Sequence, residues 1–162
     1  MGKCFMHINK IKGSTAMNAA YKHNYRTDYS YAQNADPNLA SQNDELVSLN
    51  GLTYEQAFEK RMKELGYGKN LKMRKNAVQL LDVVVSFSRE DLGKFDLEEW
   101  KKENVTWLRE VFNANPLTFG DNVLSVIYHG DEAGNVHCHA MVIPIDKGGK
   151  LSAFYYMDGR EQ

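Results

Sequence analysis

Two kinds of hydrophobic pattern alternate along the chain. Short runs rich in β-branched and apolar residues predict strands, and they cover residues 2–11, 78–88, 122–129, 136–145 and 150–156. Apolar residues at helical spacing predict three helices, over residues 14–26, 52–66 and 96–113. Residues 27–43 are rich in Asn, Asp, Ser and Pro, so this segment is predicted to be a long loop.

Capping residues set the predicted starts and ends of the first two helices. Ser14 or Thr15 is expected to cap the first helix. In the second, Thr53 and Gln56 have the spacing of a capping box, and Gly66 suits the position that follows the last turn.

The third predicted helix is amphipathic, with Asp96 as its cap and Glu99 three residues later. Its apolar stripe, predicted to lie in the core, comprises Leu97, Trp100, Trp107, Leu108 and Val111. Both faces of the strand at 136–145 are apolar, which predicts a sheet covered on both sides. The order of elements indicates an α+β fold: a single domain with a largely antiparallel central β-sheet flanked by helices.

Composition narrows the class of protein. A chain of 162 residues, 43% apolar and 25% charged, is typical of one globular domain with its own core. No apolar run approaches the roughly 20 residues of a membrane span. We therefore expect a cytoplasmic protein, with no membrane contact from this segment. Cys4 and Cys138 form no CxxC pair.

The formal net charge of −1 hides an uneven distribution of charge. Residues 1–80 hold 12 basic and 7 acidic residues, whereas residues 81–162 hold 8 and 14. The segment 60–75 alone contains seven basic residues and one acidic residue. Two interpretations remain open for it: a surface that binds phosphates, or a solvated helix face with the loop that follows.

Three of the five histidines lie close together, at positions 129, 137 and 139. His137 and His139 are two residues apart on a strand, so they project to the same face. An antiparallel hairpin through residues 130–136 would set His129 opposite His137. Because neighbouring strands lie about 4.8 Å apart, three imidazoles could bind one ion and leave positions open for substrate. Imidazoles suit Zn, Cu, Fe and Ni, and Mn suits phosphate oxygens, so the metal stays open here.

Four segments, in this order, resemble one protein family: KHNYR (22–26), NDEL (43–46), MRKNAV (73–78) and HGDEAGNVHCHAMVIP (129–144), with GGKLSA (148–153) behind them. The set is similar to the Mob/Pre plasmid mobilisation relaxases, or plasmid recombination enzymes, of the HUH endonuclease superfamily. The family pattern has three residues between its Glu and the second His, often with Pro before that His. Here four residues follow Glu132 and Pro is absent, so we expect a different turn or a bulge to absorb the extra residue.

The resemblance implies a metal-dependent relaxase that nicks and rejoins single-stranded DNA at a plasmid transfer origin by transesterification. It implies that His23 attacks the scissile phosphate and becomes linked to the 5′ phosphate. It also implies His129, His137 and His139 as ligands of a divalent ion, Mn²⁺ foremost, with Mg²⁺ or another transition metal as alternatives. Glu132 is the candidate carboxylate that orients His23, although it could equally be only a loop residue.

Candidate DNA contacts are Lys22, Arg26, Arg74 and Lys75, which suit phosphates. Tyrosines cluster around the first two of these, at Tyr21, Tyr25, Tyr29 and Tyr31. They suit base stacking and are also rival nucleophiles.

Two other functions therefore remain open: an HUH replication initiator or transposase with a tyrosine nucleophile, and a non-catalytic, metal-containing DNA-binding module. The expected partners are single-stranded origin DNA and other conjugation proteins, with no small-molecule cofactor. Residues 1–162 are expected to be the relaxase catalytic domain, the N-terminal part of a longer protein.

Overall fold

A five-stranded antiparallel sheet organises the chain in this computed structural model, which describes residues 4–68, 72–113, 120–132, 134 and 136–157. The strands are β1 (Cys4–Ile11), β2 (Asp44–Val47), β3 (Leu80–Phe87), β4 (Val123–His129) and β5 (Val136–Val142), in the order β1-β3-β5-β4-β2. The helices are α1 (Gly13–Asn24), α2 (Tyr54–Glu64), α3 (Leu97–Phe112) and α4 (Phe154–Met157). The predicted α+β class with a central antiparallel sheet is confirmed.

Helices cover both faces of the sheet, as the apolar pattern of β5 predicts. On one face, α3 packs Leu108 and Phe112 against alternate residues of β3, β4 and β5. On the other, α1 and α2 pack Met17 and Phe58 against Met141. We call this second face the histidine face, because His129, His137 and His139 project from it. None of the helices in the described ranges has the length and apolar character needed to span a bilayer.

The capping residues of α2 and α3 are confirmed, and those of α1 are wrong. Thr53 and Gln56 form the reciprocal capping box, and Asp96 accepts a hydrogen bond from the backbone of Glu99. Helix α1 instead begins at Gly13, whose backbone N–H donates to the side chain of Gln79 at 2.6 Å. Because an acceptor 66 residues away replaces the local cap, no signal near residue 14 indicated it.

The structure differs from the predicted core and strands in three further places. Trp107 is 38% exposed, because the buried stripe of α3 runs through polar Lys101 and Asn104 to Leu108. The predicted strand at 150–156 is a single bridge between Leu151 and Ile145 followed by α4. Strand β2 is not among the predicted strands. It is four residues long, pairs with β4 and forms one edge of the sheet. Parts of three predicted features lie outside the described residues: positions 2 and 3 of the first strand, 69–71 of the basic segment, and 133 and 135 of the hairpin loop.

The predicted loop 27–43 is ordered by two short 3₁₀ turns, Tyr29–Tyr31 and Pro37–Gln42. The Asp28 and Asp36 side chains cap these turns by accepting hydrogen bonds from backbone N–H groups two residues later. Local Asx geometry of this kind gives a long loop a defined path without regular structure.

Tyr54 ties α1, α2 and β4 together behind the histidines. Its fully buried hydroxyl accepts hydrogen bonds from the Asn24 amide at 2.9 Å and from the Ser125 hydroxyl at 3.1 Å. Asn24 is the last residue of α1, so this network fixes where the helix ends above the sheet.

Replacing Tyr54 by Phe is expected to lower the free energy of unfolding by about 1–3 kcal/mol, since two buried polar groups lose their partner. Urea unfolding would measure the loss. Tyr31→Phe is the matched control, because Tyr31 is 45% exposed, and it should change stability by less than about 0.5 kcal/mol. Equal stabilities of the two variants would contradict the network.

Candidate functional site

The three histidines converge as the hairpin geometry predicts. His129 of β4 lies directly opposite His137 of β5, and their nearest ring nitrogens, Nδ1 and Nε2, are 3.3 Å apart. One ligand nitrogen from each of His129, His137 and His139 lies within 4.8 Å of the others, and all three residues are buried. Among the His, Cys, Asp and Glu side chains of the described residues, these three histidines form the cluster that could hold a metal ion.

Hydrogen bonds on the far side of two rings determine which nitrogens face the centre. Nε2–H of His129 donates to the backbone carbonyl of Asn24 at 2.8 Å, which leaves the lone pair on Nδ1. Nδ1–H of His139 donates to the Asp82 carboxylate, 3.0 and 3.1 Å from its two oxygens, which leaves the lone pair on Nε2. A carboxylate behind a ligating imidazole is the usual partner that fixes its orientation and raises its basicity.

The protonation state of His129 also suits metal binding. Burial, and then the neighbouring His139, lower the pKa of His129 from 6.5 to about 2. His129 therefore stays a neutral imidazole, the form that binds a metal. The donor set, three imidazoles with converging lone pairs, fits a divalent transition-metal ion with coordination positions left for substrate.

His23 lies beside the three histidines at the end of α1. Its ring centroid is 5.1 Å from that of His139 and 6.1 Å from that of His129. Nδ1–H of His23 donates to the backbone carbonyl of Tyr31 at 2.6 Å, so Nε2 keeps its lone pair. The long loop thus orients a potential nucleophile next to the candidate metal site.

The predicted contact between Glu132 and His23 is wrong. The Glu132 carboxylate accepts a hydrogen bond from Arg26 at 2.9 Å and lies 3.7 Å from Nε2 of His137. The carbonyl of Tyr31 occupies the position on His23 that this carboxylate was expected to take. Glu132 therefore lines the metal site from the side of His137.

The Arg26 side chain is buried and is not the phosphate contact that the sequence predicts. Its side chain is 6% exposed, and it makes a two-point contact with Asp131, through Nε at 2.9 Å and Nη2 at 2.8 Å. The same guanidinium donates to Glu132 and, at 2.7 Å, to the carbonyl of His23. With these protein partners it has no exposed face for DNA, so it links α1 to the β4–β5 loop instead.

Asp131 is the other half of this link and is completely buried. Its carboxylate also accepts a hydrogen bond from the Asn43 amide at 2.8 Å. Burial alone would raise the pKa of Asp131, but the hydrogen bonds from Arg26 and Asn43 outweigh it and hold the pKa below its usual value. Asp131 is therefore ionised and paired.

Arg89 holds the β4–β5 loop from the opposite side, and sequence reasoning missed it. Its guanidinium donates to the carbonyls of Gly130 and Gly134, both at 3.2 Å, and to that of Glu132. Every residue has a backbone carbonyl, so the residue types in the sequence do not indicate which carbonyls Arg89 binds. Asp82 was also missed, although an Asp inside the apolar run LLDVVVSF is a detectable signal of a buried polar partner.

The other predicted DNA contacts are accessible, and their roles stay predictions. Lys22 precedes His23 and places its ammonium group 4.9 Å from the Tyr31 ring centroid. Arg74 and Lys75 are exposed in the segment before β3. Within the basic run 60–75, Arg61 is buried and donates to the side chain of Asn122 at 2.9 Å, so this run is not one continuous surface.

The tyrosines divide into two pairs, one packed against Tyr54 and one in the loop after α1. Tyr21 and Tyr25 stack on each other, with ring centroids 4.8 Å apart, and both pack against Tyr54. Burial, and then Glu45, raise the pKa of Tyr25 far above its usual 10, which disfavours the phenolate that would attack a phosphate. Tyr29 and Tyr31 lie in the loop that reaches His23 and remain the rival nucleophiles.

A family model described as plasmid recombination enzyme matches residues 1–162. A curated relative, plasmid recombination enzyme type 1 of Staphylococcus aureus, is 25% identical over 158 residues, which are 94% of this chain. The chain spans only 37% of the length of that relative.

Solved structures of the MobM relaxase domain, with Mn bound and in complex with plasmid pMV158 oriT DNA of 22 nucleotides, have the same fold. The structure determined at pH 5.5 has a TM-score of 0.78 and 22% identity, covering 96% of this chain and 77% of the other. The structure at pH 4.6 has a TM-score of 0.71 and 24% identity, with the same coverage.

Replacing Asp82 by Asn is expected to weaken Mn²⁺ binding about 10–100-fold, because a neutral amide replaces the carboxylate that orients the His139 ring. Calorimetric titration of the metal-free protein would measure this affinity without requiring catalysis. Asp44→Asn is the control, since the Asp44 side chain is 46% exposed and pairs with Lys101. Similar Mn²⁺ affinities for the two variants would refute the role of Asp82.

Two Arg–Asp pairs in this chain allow a direct comparison of buried and exposed ion pairs. Arg26→Ala should lower the free energy of unfolding by about 3–5 kcal/mol, because it leaves the buried Asp131 charge unpaired. Arg109→Ala should cost at most about 1 kcal/mol, since the Arg109 and Asp121 side chains are 46% and 37% exposed. Chemical denaturation of both variants would test this, and a loss in Arg26→Ala as small as that in Arg109→Ala would contradict it.

Proposed function

The chain belongs to the plasmid recombination enzyme family, and on this premise we propose that it is a metal-dependent relaxase that nicks and rejoins single-stranded DNA at a plasmid transfer origin. The observation that carries the proposal is His23, which presents a free ring nitrogen beside three converging imidazoles. A nucleophile next to a site that can hold a divalent ion is an arrangement that supports phosphodiester transesterification. The Mn-bound MobM structures with oriT DNA support the choice of substrate and ion.

In the proposed reaction, Nε2 of His23 attacks the scissile phosphorus. A nitrogen–phosphorus bond forms to the 5′ phosphate, and the 3′ oxygen leaves with the bonding electrons and takes a proton from water. The Tyr31 carbonyl holds the proton of His23 on Nδ1, so the attacking nitrogen has its lone pair available. Rejoining is the reverse displacement, in which a 3′-hydroxyl attacks the same phosphorus and releases His23.

The proposed ligands of the ion are His129, His137 and His139, with Mn²⁺ first and Mg²⁺ or another transition metal as alternatives. When bound there, a divalent ion stabilises the negative charge that develops on the non-bridging phosphate oxygens. Neutral imidazole ligands leave the positive charge of such an ion undiminished. Glu132, 3.7 Å from His137, adds a nearby carboxylate whose charge Arg26 offsets.

Lys22, Arg74 and Lys75 are the proposed phosphate contacts, because they are accessible and lie outside the buried network of Arg26. Residues 1–162 are proposed to be the catalytic domain of a longer relaxase, since the curated relative is much longer than this chain. We place its action in the cytoplasm, where it would meet plasmid DNA and other conjugation proteins.

Covalent trapping on DNA tests the proposal. The protein with Mn²⁺ is incubated with single-stranded oligonucleotides labelled at the 3′ end, first the 22-nucleotide oriT DNA of the MobM complexes and then a random-sequence library. We expect a labelled protein adduct that is lost in His23→Ala and retained in Tyr29→Phe and Tyr31→Phe. The adduct should be acid-labile, as a phosphoramidate is.

The opposite result would identify a different member of the superfamily. An acid-stable adduct that survives in His23→Ala and disappears in Tyr31→Phe would indicate a tyrosine nucleophile, as in replication initiators or transposases. Tight DNA binding with no adduct under any divalent metal would indicate a non-catalytic, metal-containing DNA-binding module.

A further inference from the structure

Part of the histidine face is exposed beside the site. Register pairing places His7 of β1, Val84 of β3 and His139 of β5 in one row across the sheet. The next row contains Phe5, Ser86 and His137. Residues directly opposite each other in antiparallel strands share a face, so Phe5 and His7 lie on the same face as the metal-site histidines.

The side chains of Phe5 and His7 form a strip that is open to solvent. Phe5 is 47% exposed, and His7 is exposed as well. The core under α1 and α2 is built on Leu80, Met141 and Ile143, at the other end of the histidine face. Phe5 and His7 lie away from this core, and their side chains are open to solvent.

We propose that the strip formed by Phe5 and His7 binds the nucleotides next to the scissile phosphate, with a base stacked on the Phe5 ring. The inference rests on the proposed function, because it takes single-stranded DNA as the occupant. Continuity with the site supports that choice: two strand spacings separate His7 from His139, about 10 Å, or roughly three stacked nucleotide steps.

The chemistry of the strip favours bases over phosphates. Phe5, His7, Val84 and Ser86 carry no fixed charge, and an aromatic ring stacks on any base without reading its sequence. Nε2 of His7 lies 2.8 Å from the Asn9 side-chain oxygen, so this hydrogen bond orients the imidazole and leaves Nδ1 for a polar group of the DNA. Backbone phosphates would then pair with the cations Lys22, Arg74 and Lys75.

Met6 provides a matched control on the same strand. It is 57% exposed, and pairing with Val85 places it on the opposite face of the sheet. A substitution at Met6 therefore changes an exposed apolar side chain of β1 without altering the strip.

Fluorescence anisotropy with a labelled single-stranded oligonucleotide tests the proposal in the His23→Ala protein, which cannot react. Phe5→Ala should weaken binding about 5–150-fold, the equivalent of about 1–3 kcal/mol for one stacked base. Met6→Ala should change it less than about twofold, and Phe5→Trp should retain or strengthen it. Circular dichroism checks that every variant is folded.

An abasic scan separates stacking from a structural effect. At one position near the scissile phosphate, an abasic nucleotide should weaken binding of the Phe5 protein and leave the Phe5→Ala protein unchanged. The proposal would be overturned if the Phe5 and Phe5→Ala proteins lost the same affinity at every abasic position. It would also be overturned if Phe5→Ala bound intact DNA as tightly as the Phe5 protein. A change in oligomeric state with unchanged DNA affinity would show that a second copy covers the strip. Because no chemistry is involved, these results are independent of whether wild-type protein forms an adduct.

Discussion

The buried ion pair between Arg26 and Asp131 is the contact on which the geometry of the site depends. Arg26 follows His23 by three residues and Asp131 follows His129 by two, so the pair sets the distance between the helix end and the metal-site hairpin. A buried ion pair offsets its desolvation only when the geometry is good and the remaining groups are paired. Both conditions hold, since the contact has two points and Asn43 and the His23 carbonyl satisfy the remaining groups.

Backbone carbonyls do much of the positioning around this pair. The Asn24 carbonyl accepts from His129 and the Tyr31 carbonyl accepts from His23, so each ring is oriented without an added charge. A neutral acceptor fixes which ring nitrogen carries the proton and adds no negative charge beside the site. The Tyr31 carbonyl accepts the Nδ1 proton of His23, so Nε2 carries the lone pair that the proposed attack requires.

The parts of this structure that follow local rules were predictable from the sequence. Alternation along β5 placed His137 and His139 on one face, and the hairpin placed His129 opposite them. Two of the failures involve partners distant in sequence: Gln79 at the start of α1, and Asp131, which binds Arg26. A single sequence shows that a residue is charged, but burial and partners decide whether that charge meets solvent, ligand or another side chain.

The β4–β5 loop has one residue more after Glu132 than the family pattern, and here too the contacts with distant residues matter more than the local sequence. The extra residue follows Glu132 in the sequence, whereas the contacts that fix Asp131 and Glu132 come before it or from elsewhere: Arg26, Asn43 and the bridge from Ala35 to Glu132. Arg89 holds Gly134 on the far side of Glu132. The positions of the two carboxylates are therefore set by contacts with residues outside this stretch of the loop.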